Sequence, residues 1–181
     1  MSLGFNGYFI WDAIQIHNEK LRGEAMDRAF GGVIDKTSWA DGLKSFVTKL
    51  KAKDKVAAGK KYYYVNIWTT WCGPCVKEIP WLDSLAGTLN KDVGYIFVSD
   101  QTDKVITDCI KRKKFIVKNF IFMNDMNDFV SGICNERKIR SKSYPMVLIM
   151  DNKGKILHYE NGAYENLKEA AEFVDLINKL E

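Results

Sequence analysis

The sequence predicts an α/β sandwich, and three observations carry that reading. An aromatic and β-branched run at 62–68 has the composition of a central strand. Two further apolar runs, at 93–98 and 146–150, are separated from it and from each other by segments of helical periodicity. After the last run come a tight turn, a polar-apolar hairpin partner and an amphipathic tail. Strands alternating with helices, closed by a hairpin and a final helix, bury their apolar faces best as helices packed on a sheet.

Taken in order, residues 6–30 read as helical, with Phe9, Ile10, Ala13, Ile14 and Leu21 at helical spacing and Gly31-Gly32 as the stop. Val33-Ile34 is a short strand candidate. Ser38 is expected to cap the next helix, with Asp41 in the capping-box position. Trp39, Leu43, Phe46, Val47 and Leu50 form its apolar stripe, and Gly59-Lys60 closes the element. A helix is expected from about Cys72 to Leu89, a strand over 93–98, and a helix from Thr102 or Asp103 to about Lys113. Residues 115–124 are ambiguous, with room for a short strand. A helix follows over 126–137, then the strand Met146 to Met150. Asp151-Asn152-Lys153-Gly154 is a turn, with Lys155 to Glu160 as its hairpin partner. In the final helix, Leu167, Ala170, Ala171, Val174, Ile177 and Leu180 are expected on the inner face. The division is an extension over 1–32 and one domain over 33–181.

Composition narrows the function. The 181 residues are 46% hydrophobic, enough for a core, and the net charge of +4 is too mild to argue for nucleic acid. The basic run Lys111-Arg112-Lys113-Lys114 reads as a solvated helix end. No apolar run has the roughly 18 residues a membrane span needs, and no signal peptide is visible at the start. Met1-Ser2-Leu3 reads as a non-native start, so a native leader or anchor is expected to have been removed.

Four cysteines are too few for a disulfide-stapled scaffold. The close pair Cys72-Gly73-Pro74-Cys75 sits between a strand and a helix, where free N–H groups and the macrodipole favour a thiolate. Pro74 suits the first turn, because its missing N–H has no partner there. Cys72 is therefore expected to be the exposed nucleophile, and Cys75, one turn in, the resolving thiol. Half of a zinc site is the competing reading. It lacks a second ligand pair, since Cys109, Cys134, His17 and His158 are scattered. No metal and no cofactor beyond the pair itself are expected. Cys109 and Cys134 read as buried free thiols, with a second disulfide as the alternative.

Trp71-Cys72-Gly73-Pro74-Cys75 is identical to the active-site motif of the thioredoxin superfamily, and the three prolines fall where that family uses them. Pro74 lies inside the motif. Pro80 matches the proline that kinks the active-site helix, and Pro145 the cis-proline facing the disulfide. Asn66, six residues before Cys72, and Glu78, three after Cys75, resemble the TlpA/ResA-like extracytoplasmic branch, which is linked to cytochrome c maturation. The long stretch between Asp100 and Pro145 has room for that branch's extra strand and helix. The chain departs from the branch at Met146, where Thr is common, at its Gly-Pro pair, and at a helical rather than hairpin N-terminal part. The resemblance spans roughly 33–181 and implies a thioredoxin-like three-layer sandwich around a mixed sheet.

The resemblance further implies a thiol–disulfide oxidoreductase, reducing in direction, that acts on protein disulfides in a periplasmic or similar space. An upstream donor protein would re-reduce it. A general cytoplasmic thioredoxin and a thioredoxin-fold partner-binding module are the alternatives. Glu78 is read as a proton acceptor or tuner of the thiols, against a solvated acid in a helix's first turns. Trp71 is expected on an apolar substrate surface with Gly73 and Pro74, and Trp68 in the core. Tyr144 and Pro145 are expected as the opposite wall, where backbone pairing would recognise extended chain.

Overall fold

Strand β1, Tyr62–Ile67, lies in the middle of a five-stranded sheet in the order β3-β2-β1-β4-β5. The computed structural model describes residues 36–87, 90–137, 143–164 and 166–178. The expected helix over 6–30, the strand at 33–34 and the extension over 1–32 lie outside them. The other strands are β2 (Val93–Val98), β3 (Ile121–Met123), β4 (Met146–Asp151) and β5 (Ile156–Asn161). β1 runs parallel to β2, and β2 to β3; β4 is antiparallel to both β1 and β5. The helices are α1 (Lys36–Lys53), α2 (Gly73–Ala86), α3 (Asp103–Lys113), α4 (Asn127–Glu136) and α5 (Leu167–Asn178). The sheet is mixed, as expected, and the ambiguous 115–124 stretch supplies its three-residue edge strand.

A strand covered on both faces must be apolar throughout, and β1, β2 and β4 are buried almost end to end. Side chains alternate between faces. Tyr64, Trp68, Tyr95, Phe97, Val147 and Ile149 point to one core, shared with α2 and α5. Tyr63, Val65, Ile67, Ile96, Val98 and Leu148 point to the other, shared with α1 and α4. These two cores on either side of one sheet make the three layers.

In α1 the predicted stripe is the packed face: Phe46 and Leu50 are buried, and Trp39, Leu43 and Val47 pack against the same core. Phe46 stacks on Phe129 of α4 at 4.6 Å between ring centroids. Gly42 permits this close crossing, since a Cβ there would lie 2.6 Å from the Asp128 carbonyl oxygen. Ser38 does not open the helix as expected. Lys36 and Thr37 are already helical, which makes Ser38 an interior residue. Of the inner face expected of α5, Ala170 and Ile177 are buried and Leu167, the first helical residue, is 50% exposed; the side chains of Val174 and Leu180 lie outside the described residues.

One contact ties the segment after α3 to the helix that carries the cysteines. Buried Asp83 of α2 accepts backbone N–H bonds from Lys118 (3.0 Å), Asn119 (2.6 Å) and Phe120 (3.2 Å). The Asn119 amide returns a bond to the Asp83 carbonyl at 2.7 Å. Removing the carboxylate strands three donors, so Asp83→Ala is expected to lower the unfolding free energy by about 3 kcal/mol in urea titration, and Asp83→Asn by about half that. A loss below about 0.5 kcal/mol for Asp83→Ala, the scale of an ordinary surface substitution, would show that other contacts hold the segment.

Candidate active site

The cysteine pair stands where β1 hands over to α2. The chain leaves β1 at Ile67, the Trp68 N–H extends the ladder to the Val98 carbonyl at 2.9 Å, and Cys72 takes the N-cap position of α2. Pro74 occupies the first turn, as expected. Cys72 and Cys75 form a disulfide with their Cα atoms 5.3 Å apart. The Cys75 N–H also donates to Cys72 Sγ at 3.2 Å, so a helix-terminal donor is already aimed at the sulfur.

Cys72 is not exposed as expected. It is only 5% accessible, against 1% for Cys75. Bonded to Cys75 and capped by its N–H, the sulfur is folded back against the core that holds Trp68 and Ile79. What stands open beside it is Trp71, at 67% exposure, with exposed Gly73 and Pro74. Trp68 is fully buried, so the two tryptophans divide as the sequence suggested.

The opposite wall comes from the turn into β4. The Tyr144–Pro145 peptide bond is cis, Pro145 is buried, and its carbonyl accepts the Gly162 N–H at 3.0 Å. Gly162 sits at φ +132°, in the region that favours glycine. Tyr144 meets Trp71 edge-to-face, with ring centroids 5.3 Å apart. Two segments distant in sequence thus share one aromatic rim next to Cys72.

Glu78 lies one turn beyond Cys75 and is 1% exposed, which removes the reading as a solvated acid. Asn66 Nδ2 donates to its Oε1 at 3.1 Å, and the Tyr164 N–H to its Oε2 at 3.4 Å. Burial pushes its carboxyl up to about 7, against these two bonds, which favour the ionised form. A buried carboxyl that exchanges its proton near neutrality, on the same helix as both cysteines, can accept or return a proton. Cys109 of α3 and Cys134 of α4 are buried, and neither forms a disulfide.

Sequence reasoning did not single out Asp100, which accepts the Tyr144 hydroxyl, Gln101, which bonds Thr70, or Tyr164, whose N–H meets Glu78. Asp100 and Gln101 follow β2, and the carboxyl ends of parallel strands are where α/β sheets place their sites; that position was the available signal. Tyr164 contributes a backbone N–H, for which no side-chain signal exists.

The Redoxin family profile matches residues 43–176. Thiol-disulfide oxidoreductase ResA of Bacillus thuringiensis subsp. konkukian is 30% identical over 129 residues, 68% of this chain and 65% of that protein. The chain thus spans about two thirds of the length of that curated relative. Among solved structures, MTB dsbF in its mixed oxidised and reduced forms superposes with TM-score 0.50 at 19% identity, over 66% of this chain and 81% of that one. A thiol:disulfide interchange protein of the thioredoxin family from Chlorobium tepidum TLS does so with TM-score 0.50 at 17% identity, over 65% and 79%. These two likenesses give the fold, which is thioredoxin-like.

Proposed function

This chain belongs to the Redoxin family, and from that premise we propose that it is a thiol–disulfide oxidoreductase that reduces protein disulfides. The observation that carries the reading is the Cys72–Cys75 disulfide at the N-terminus of α2, with the Cys75 N–H on Cys72 Sγ. In the reduced protein the same donor and the helix dipole stabilise a Cys72 thiolate. That thiolate attacks a substrate disulfide, forming a mixed disulfide and releasing one substrate thiol. The Cys75 thiolate then attacks Cys72 Sγ, closes the internal disulfide and releases the second thiol. Two electrons and two protons pass to the substrate, and an upstream dithiol donor returns them. The redox centre is the pair itself, with no other cofactor. Trp71, Gly73, Pro74, Tyr144 and Pro145 line the rim that an extended substrate segment crosses, and Glu78 handles the proton of the buried thiol.

The working compartment is extracytoplasmic, on the resemblance of Asn66, Glu78 and the sequence around them to the exported branch. Among the described residues no helix is long and apolar enough to cross a membrane. Fractionation of cells producing the full reading frame tests the compartment, and a cytoplasmic pool alone would oppose it.

Titration in graded redox buffers with thiol trapping tests the direction of flow. A potential at or below about −250 mV, near thioredoxin's, is expected of a reductase. A value near −120 mV would make the protein an oxidant. Failure of Cys72 and Cys75 to pair at any poise would remove the activity altogether.

A further inference from the structure

We propose that Asp100 and Gln101, in the loop leaving β2, are positioning residues that brace both walls of the substrate rim and so set how well an extended disulfide-bearing segment binds. This inference rests on the oxidoreductase reading above.

Asp100 Oδ2 accepts the Tyr144 hydroxyl at 3.0 Å. It reaches across 44 residues of sequence to fix the ring that precedes Pro145. The next residue grips the other wall. Gln101 Oε1 accepts the Thr70 N–H at 2.7 Å, and Gln101 Nε2 donates to Thr70 Oγ1 at 3.1 Å. Thr70 directly precedes Trp71, whose largely exposed ring has little core contact to hold it. Among the described residues the Tyr144 ring packs against it edge-to-face.

The foot of the brace is itself anchored. The Gln101 N–H donates to Ser99 Oγ at 3.2 Å, and the Gln101 carbonyl accepts the Asp125 N–H at 2.9 Å. One loop therefore fixes the spacing between the nucleophile's loop and the cis-proline turn. A substrate segment lying across that rim finds it ordered before binding, which lowers the cost of association. A small disulfide that reaches only the sulfurs does not draw on this order.

The experiment compares kcat/KM for a disulfide-bonded peptide with extended flanks against that for 5,5′-dithiobis(2-nitrobenzoate), using the full chain. In Asp100→Ala, Tyr144→Phe and Gln101→Ala the peptide-to-small-disulfide ratio is expected to fall about five- to tenfold, carried by KM, the size of one lost hydrogen bond. Because Asp100 acts through Tyr144, the double variant D100A/Y144F is expected to fall no further than either single one. An unchanged ratio, or effects that add in the double variant, would overturn the brace while leaving the activity standing. A wild-type protein that reduces neither substrate would overturn the activity and the brace together. If Asp100→Ala fails to fold, Tyr144→Phe, which deletes one oxygen, decides the same question.

Discussion

The Cys75→Ser variant is expected to accumulate a covalent complex with a disulfide substrate through Cys72, whereas Cys72→Ser forms none and reduces nothing. The asymmetry follows from position. Cys72 holds the N-cap of α2 and receives the Cys75 N–H, while Cys75 lies a turn inside and is almost wholly enclosed. A thiolate formed at Cys72 is stabilised by the helix terminus and borders the open rim of Trp71, Gly73 and Pro74. Once the mixed disulfide exists, resolution depends on a thiol held in place by one turn of helix. Well-oriented intramolecular groups act at effective molarities on the order of 10⁵ M or more. No external thiol at ordinary concentration substitutes for that, so turnover in Cys75→Ser falls by several orders of magnitude and the intermediate persists. Non-reducing electrophoresis with mass spectrometry of the adduct measures it. A stable adduct on Cys72→Ser instead would exchange the roles of the two sulfurs. No adduct on either would leave a thioredoxin-like domain that binds partners without electron transfer.

The elements that position these sulfurs were legible because each is a local pattern. The run at 62–68 announces a doubly buried strand, and the Gly-Pro spacer announces a helix start. The apolar stripe of α1 lies where its 3.6-residue period puts it. Boundaries were less legible. Nothing local distinguishes Ser38 as a cap from Ser38 as an interior helical residue. Thr102 does take the N-cap position of α3, yet makes no side-chain bond there. The three-residue β3 is too short to show a period of its own.

Of the site, the cysteine pair, Trp71, Glu78, Tyr144 and Pro145 were legible, while the residues that hold them in place were not. Asp83, Asp100 and Gln101 each act on a partner 31 to 44 residues away. The sequence records such residues as ordinary polar ones near turns. Burial was underestimated at both Cys72 and Glu78 for the same reason. Cys72 reads as exposed because a nucleophile must be reached, and Glu78 could pass for solvated because it comes early in a helix. The fold encloses both, since β1, β4 and the Tyr164 segment close over that end of α2.

Enclosure gives Glu78 the second large expected effect, one of opposite sign for stability and for catalysis. Burial raises its carboxyl from the ordinary 4.5 to about 7 in the folded protein. Below pH 4.5 the group is protonated in both folded and unfolded chains and its contribution is level. As pH rises from there, the unfolded chain releases a proton that the folded one keeps, so folding loses stability until the folded group also ionises near 7. At about 1.4 kcal/mol per pKa unit, the loss is about 3 kcal/mol above neutrality. Glu78→Gln keeps the shape and an acceptor for the Asn66 amide or the Tyr164 N–H, but carries no charge to bury. Urea unfolding of the oxidised protein is therefore expected to show the variant close to wild type at pH 4.5 and about 3 kcal/mol more stable at pH 8. An equal difference at both pH values would mean that the carboxyl does not titrate near neutrality.

The same substitution is expected to slow resolution of the mixed disulfide. Cys75 must lose its proton to attack, and a glutamine cannot take it. In wild type, single-turnover release of the second substrate thiol rises as the pH passes about 7. In Glu78→Gln that rise moves up toward the ordinary thiol range, about 8.5. A glutamine that stabilises the fold and also leaves the pH profile in place would make Glu78 a buried acid without a task. A glutamine that stabilises the fold while displacing the profile means that the protein keeps a costly buried acid because proton transfer at Cys75 depends on it.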